Sequence, residues 1–267
     1  MNQINPSVLN HLQQRDRAGI AAETDYSRLQ SLAEIWPLAA EHYGHQLAMN
    51  DAHNEPSAQL TYAELWANIR QFAAGLQGLG LAPETRVAFF ADNSHRWLIA
   101  DQGIMAAGGI DAVRSAQAET EELRYIAEHS DSTVLIVEHL KLWQRIRDRF
   151  LDLPLQFAVL LSDEPVPEAL PFNMVNYGQL LDIGSQREWQ PAPATPDSLA
   201  TLIYTSGTTG KPKGVMITHG NLLHQITTLG AVVQPQPGDR VLGLLPTWHT
   251  FGRTAEYFLY SQGCTQT

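Results

Sequence analysis

The chain has a single cysteine, Cys264, in 267 residues. No internal disulfide framework supports it, and no Cys/His pair has the spacing of a zinc site. Its ten histidines are scattered singly. Positive charge is scarce: 17 Lys and Arg stand against 28 Asp and Glu, a net charge of -11 with no basic cluster. That balance argues against nucleic acid or an anionic membrane surface as a main partner. No apolar run approaches the ~18 residues a membrane helix needs. Residues 1–20 lack both the apolar centre and the small-residue cleavage site of a secretory signal. Internal repeats, low-complexity tracts and coiled-coil heptads are missing as well. These absences point to a reducing cytoplasm.

What is present is an alternation of helix and strand signals. Thr61 and Glu64 form a capping box, and Leu65, Ile69, Phe72, Leu76 and Leu79 follow at helical spacing until Gly80. Residues 86–91 read as a compact strand, with Asn93 and Ser94 placed to cap a helix from near His95. Residues 133–137 and 157–161 read as buried strands on either side of a helix over 140–150. The order implies an α/β fold, layered mixed sheets with flanking helices and at least partly parallel pairing. The proline-punctuated stretch 189–197 suits an interdomain linker or a surface crossing within one large domain, since both exclude helix and central strand. Residues 1–43 are expected to form an N-terminal helical segment packed on the body formed by 44–267.

The most informative stretch is Tyr204-Thr205-Ser206-Gly207-Thr208-Thr209-Gly210-Lys211-Pro212-Lys213-Gly214, with three glycines, four hydroxyls and two lysines in one short loop. Glycine admits the conformations that turn successive backbone N–H groups toward one anion, and short hydroxyls add donors without blocking its approach. The lysines neutralise charge at the rim. This is a composition for holding polyphosphate, although a solvated hairpin tip shares part of it. It is not the P-loop G-x-x-x-x-G-K-[ST]: Gly207 and Gly210 are too close, and Lys211 is followed by Pro212. A second landmark, Leu245-Pro246-Thr247-Trp248-His249-Thr250-Phe251-Gly252-Arg253, follows an apolar run over 241–245 that reads as a buried strand ending at proline. A lone histidine beside aromatics is more often a half-buried packing residue than a ligand.

The first landmark, unbroken from 204 to 214, resembles the signature of the adenylate-forming (AMP-binding) superfamily. The resemblance extends to residues 215–223, a short strand and then a helix near His219 in which His219 and Asn221 read as structural. It extends also to Glu121-Glu122-Leu123-Arg124-Tyr125-Ile126 and 128–132, which are similar to long-chain acyl-CoA and acyl-acyl-carrier-protein synthetases. It implies the incomplete N-terminal part of a large domain. The implied activity joins a long-chain fatty acid to AMP from ATP, then to coenzyme A or acyl carrier protein. Charge on the departing pyrophosphate is what backbone amides, hydroxyls and cations would stabilise. By the resemblance, Thr205, Ser206, Gly207, Thr208, Thr209, Gly210, Lys211, Lys213 and Gly214 bind nucleotide phosphate, with Lys213 the stronger neutralising candidate. Thr205 shares Mg2+ with a later glutamate. His249, with Lys213 the candidate catalytic residue, donates to substrate oxygen or phosphate, and Trp248 with His249 forms a wall or gate for the acyl chain.

By the same resemblance, residue 267 lies about midway through the large domain, before the adenine, ribose and lysine-bearing parts of the site. A chain ending there is expected to expose apolar surface and unpaired strand edges and to be marginally stable. Two other readings stand beside the ligase: a non-catalytic fragment that binds nucleotide or a partner, and an unrelated phosphate-binding module that converged on the loop. Peripheral membrane association stays open because long acyl substrates partition into lipid. Acyl chain length, aromatic acids such as benzoate, and coenzyme A versus acyl carrier protein are not distinguished by the residues present.

Overall fold

The computed structural model describes residues 25–54, 56–205 and 211–267. A seven-stranded sheet has the order β7-β6-β5-β3-β4-β8-β9. Its strands are β3 (Arg86–Phe90), β4 (Ile110–Arg114), β5 (Val134–Val137), β6 (Phe157–Leu160), β7 (Asn173–Asn176), β8 (Leu199–Thr205) and β9 (Lys213–Thr218). All pairings are parallel except β8 with β9, an antiparallel hairpin at the sheet edge. A smaller sheet joins β1 (Leu47–Asp51) and β2 (Ala58–Thr61) to the two-residue strands β10 (Arg240–Val241) and β11 (Thr265–Gln266).

Except at its edge strand β9, the large sheet is buried on both faces, and its continuous apolar runs divide by the period of two. Val87, Phe89, Val134, Ile136, Phe157 and Val159 enter one core, while Ala88, Phe90, Leu135, Val137, Ala158 and Leu160 enter the other. The first core receives α1 (Ile35–Tyr43), α2 (Tyr62–Gly78), α3 (His95–Ala106), α6 (Tyr177–Ser185), α7 (His219–Leu229) and α8 (Thr250–Ser261). The second receives α4 (Thr120–His129) and α5 (Leu140–Ile146). Right-handed crossovers produce this division. The β3–α3–β4 unit runs one way along the sheet, whereas β4–α4–β5 returns past β3 and β5–α5–β6 continues in that reverse direction, so their helices fall on the opposite face.

The local signals act as the sequence leads one to expect. Thr61 and Glu64 close a capping box on α2, and Leu65, Ile69, Phe72 and Leu76 are its buried stripe. Thr218 and Asn221 close another on α7. Ser94 caps α3 through the Trp97 amide, at 3.0 Å, and Asp51 accepts from the His95 amide at 2.9 Å. Helix α2 crosses α6 at Gly184, where a Cβ would overlap the Gln71 carbonyl, so the two backbones touch and α6 needs glycine there. Residues 186–198 carry no helix or strand, but Trp189 packs edge-on against Trp66 and donates to the Ala106 carbonyl at 3.0 Å, which fastens the stretch to the body.

The buried strand expected over 241–245 is not found: β10 ends at Val241, and Leu242 and Leu244 are 60% and 76% exposed. Past the two strands, Thr267 donates to the Val241 carbonyl at 2.8 Å and Gly243 to the Thr267 carbonyl at 3.0 Å, so the pairing continues by two bonds only, and among the described residues no neighbouring layer covers the leucines. Of the expected N-terminal helix, residues 1–24 lie outside the described ones. From Tyr26 the chain makes two 3-10 turns before α1, and Leu32, Ile35 and Trp36 are buried on the body.

Candidate functional site

Both sequence landmarks emerge at the same edge of the large sheet. Strands β3, β4 and β8 run parallel, and their carboxyl ends share one side, the edge at which open α/β sheets present ligands. Thr205 closes β8 and faces Lys213, the first residue of β9, across the antiparallel ladder; Tyr204 faces Gly214. The motif is therefore the turn of a hairpin. Ser206, Gly207, Thr208, Thr209 and Gly210 lie outside the described residues. Lys211 and Lys213 are exposed, and Lys211 Nζ sits 5.7 Å from the centre of the Tyr125 ring. Glycine at 214 leaves room for Tyr204, since a Cβ there would lie 3.1 Å from the ring carbon Cζ.

The second landmark is tied to the end of β3 by one side chain. Asn93 Nδ2 donates to the Leu245 carbonyl at 2.7 Å, and its Oδ1 accepts from the amide and hydroxyl of Thr247 at 3.1 and 2.9 Å. Asn93 thus holds this strap rather than capping α3. Trp248 is partly buried against the core. His249 is exposed and occupies the N-cap of α8, its Nδ1 accepting from the Phe251 amide at 3.4 Å. Leu244, Leu245 and Phe251 around it are exposed, Phe251 at 69%. The structure brings Thr205 and Lys213 opposite each other and sets Trp248 and His249 on the same sheet edge.

Sequence reasoning missed a buried charge cluster between the two landmarks. Arg253, one turn into α8, has no exposure, nor do Asp101 of α3 and Asp111 of β4. Its guanidinium donates to Asp101, to Asp111 at 2.5 Å, to the Thr201 hydroxyl of β8 at 2.7 Å and to the Tyr257 hydroxyl at 2.6 Å. Tyr257 in turn donates to Asp101. One side chain therefore couples the helix that begins at His249 to the strand that ends at Thr205. Burial pushes Asp111 up to about 8 against the pull of Arg253, and it pushes Glu256, three residues beyond Arg253 on α8, up to about 8 as well. Burial without enough positive charge therefore favours the protonated forms of Asp111 and Glu256. The available signal was an acid beside or inside an apolar run, Asp101 directly after Leu98-Ile99-Ala100 and Asp111 within Ile110-Asp111-Ala112-Val113.

His219 is structural. Its Nδ1 accepts from the Leu32 amide at 3.1 Å, and burial pushes it down to about 4, so it is neutral at physiological pH. Among the described residues no group of three or more His, Cys, Asp or Glu could hold a metal ion, and no helix is long and apolar enough to cross a membrane. A hollow of about 430 Å³ beside α4 is lined by Glu121, Arg124, Arg149 and Asp152. These charges pair with one another, and the hollow is unsuited to an apolar chain.

The fold is that of the N-terminal domain of adenylate-forming enzymes. A fatty acyl-adenylate ligase from L. pneumophila, in complex with acyl adenylate and pyrophosphate, superposes with a TM-score of 0.71 at 22% identity, over 91% of this chain and 41% of that one. The N-terminal domain of FACL13 from Mycobacterium tuberculosis, inhibitor-bound, gives 0.72 at 22% identity over 90% and 57%. Residues 37–267 match the AMP-binding enzyme family, and the chain belongs to it. It is 38% identical over 255 residues to a chloroplastic long-chain-fatty-acid–[acyl-carrier-protein] ligase of Arabidopsis thaliana, and 26% identical over 238 residues to a long-chain-fatty-acid–CoA ligase of Xenopus laevis. The chain spans 35% of the first relative's length and 32% of the second's, while 90% and 86% of its own residues are matched.

Proposed function

We propose that this chain is the phosphate-loop half of an ATP-dependent ligase that activates a long-chain fatty acid as its acyl-adenylate and passes it to a thiol, coenzyme A or acyl carrier protein. The observation that carries this reading is the mounting of the 204–214 motif on the β8–β9 hairpin, at the carboxyl edge where Asn93 also holds the Trp248–His249 strap. A carboxylate attacks the α-phosphate of ATP, and negative charge grows on the departing pyrophosphate. The loop's amides and hydroxyls, from Thr205 through Gly210, with Lys211 and Lys213 at the rim, are the groups that would meet that charge. Thr205 offers a hard oxygen of the kind that accompanies substrate phosphates around magnesium, so the donor chemistry fits an ion carried in with ATP. When bound, that ion neutralises phosphate charge. His249 is a donor toward the carboxylate or phosphate, and the exposed Leu244, Leu245 and Phe251 beside it favour an apolar acyl group. Residues 1–43 are proposed as an N-terminal segment on the large domain formed by 44–267.

The compartment we propose is a reducing one, in keeping with a single buried thiol. Two Arabidopsis thaliana relatives are chloroplastic, so cytoplasm is not singled out. The test is fatty-acid-dependent exchange of labelled pyrophosphate into ATP by the purified protein. Exchange that requires both fatty acid and magnesium supports the ligase. Binding of ATP without exchange supports the alternative, a non-catalytic nucleotide-binding chain.

A further inference from the structure

Helix α4 ends against the base of the phosphate hairpin and touches both of its stems. On the incoming stem, Tyr204 is 2% exposed, and its hydroxyl lies 2.9 Å from Nδ1 of His129, the last residue of α4, with the two rings edge to face. A buried phenol needs such a partner, and burial pushes this one up to about 12, so it stays protonated. On the outgoing stem, the Lys211 ammonium sits over the ring of Tyr125, one turn earlier on α4, and Tyr125 and His129 are themselves in contact at 5.2 Å between ring centres. Gly214, the ladder partner of Tyr204, is the residue whose missing side chain allows the phenol to occupy this place. One helix therefore contacts the chain on both sides of 206–210, at Tyr204 and at Lys211.

We propose that Tyr125 and His129 are positioning residues that clamp the base of the phosphate loop and so set its affinity for nucleotide phosphate. Neither touches the nucleotide itself. His129 acts through Tyr204, the neighbour of Thr205, and Tyr125 acts through Lys211. A fixed base presents the loop's amides with less conformational freedom to lose on binding. The ligand in this inference rests on the phosphate-binding reading above; the clamp itself does not.

The test uses the purified chain with His129→Leu, His129→Asn, Tyr204→Phe and the double variant His129→Leu/Tyr204→Phe. Magnesium ATP and inorganic pyrophosphate are titrated by calorimetry. Trypsin cutting after Lys213 is timed by mass spectrometry, the Lys211–Pro212 bond being resistant. His129 is itself exposed, but its loss leaves the buried Tyr204 hydroxyl without this partner, so His129→Leu is expected to lower the melting temperature by only about 2–4 °C. It is expected to weaken both ligands about fivefold, the worth of one hydrogen bond, and to speed the cut after Lys213. His129→Asn, whose amide can occupy the place of Nδ1, is expected to restore both. The double variant is expected to behave like either single one, because the bond is already lost. Tyr125→Leu is expected to weaken binding about twofold and Tyr125→Phe to leave it unchanged. Wild-type affinity and cutting rate in His129→Leu and Tyr204→Phe overturn the clamp, and so do losses that simply add. If the wild-type chain binds neither ligand, the phosphate reading fails. The cutting rate then decides the clamp alone: faster in His129→Leu supports it, unchanged overturns it.

Discussion

Replacing Arg253 with Met tests what joins the two landmarks. Methionine keeps length and apolar stem but removes a guanidinium that donates to Asp101, Asp111, Thr201 and Tyr257 in a site without solvent. Breaking a buried pair by deleting one partner costs about 3–5 kcal/mol, because the other charge remains unpaired. For a chain of this length about 1 kcal/mol moves the midpoint by about 2–4 °C, so a fall of roughly 10 °C is expected near neutral pH. The loss should shrink toward pH 5, where the stranded carboxylates take up protons at little cost. A triple variant, Asp101→Leu, Asp111→Val and Arg253→Met, should recover most of it, since apolar replacement of a whole buried cluster is often neutral or better. Urea and thermal unfolding at pH 5.5 and 8 read all three expectations. A single-variant shift below about 3 °C that is the same at both pH values would refute the assignment of Arg253 as the tie between α8 and β8.

Glu256 tests the same core by titration. Its carboxyl binds a proton in the folded chain up to about pH 8 but releases it near 4.5 when unfolded. Its contribution is thus complete below pH 4.5 and declines as pH rises toward 8, by at most about 1.4 kcal/mol per unit. Glu256→Gln should flatten that decline in a pH series of unfolding midpoints, and a parallel decline in both proteins would contradict it. Thr205→Ala with Lys213→Ala should weaken pyrophosphate and ATP at least about tenfold in calorimetry, each charge-assisted contact being worth about 1.5–3 kcal/mol. Unchanged affinity would remove the hairpin from the site. His249→Asn separates cap from chemistry: asparagine is a good N-cap, so the melting temperature should hold while pyrophosphate exchange falls about a hundredfold. Full exchange in this variant would leave His249 a cap only.

Much of the fold is written locally. The capping boxes at Thr61 and Thr218, the helical stripe of α2 and the apolar runs of β3, β5 and β6 need only neighbouring residues to be read. The 204–214 motif is likewise contiguous, and by itself it led to the family. The strand order was not legible in this way, because pairing joins segments far apart in the chain, and β1, β2, β7 and β11 offer short runs with little periodicity. The apolarity of 241–245 suggested a buried strand, yet burial is a property of what lies above a strand, and the leucines stay exposed.

The sequence determined which residues alternate, where helices begin and which short loop suits phosphate, because backbone geometry and capping act within a few residues. Tertiary structure decided which charges are buried together and what they join. Arg253 meets Asp101 and Asp111 across separations of 152 and 142 residues, and His129 meets Tyr204 across 75. Such contacts depend on crossovers that distribute the helices over both faces of the sheet. A buried ion or phenol requires its partner only after the fold has removed water from both.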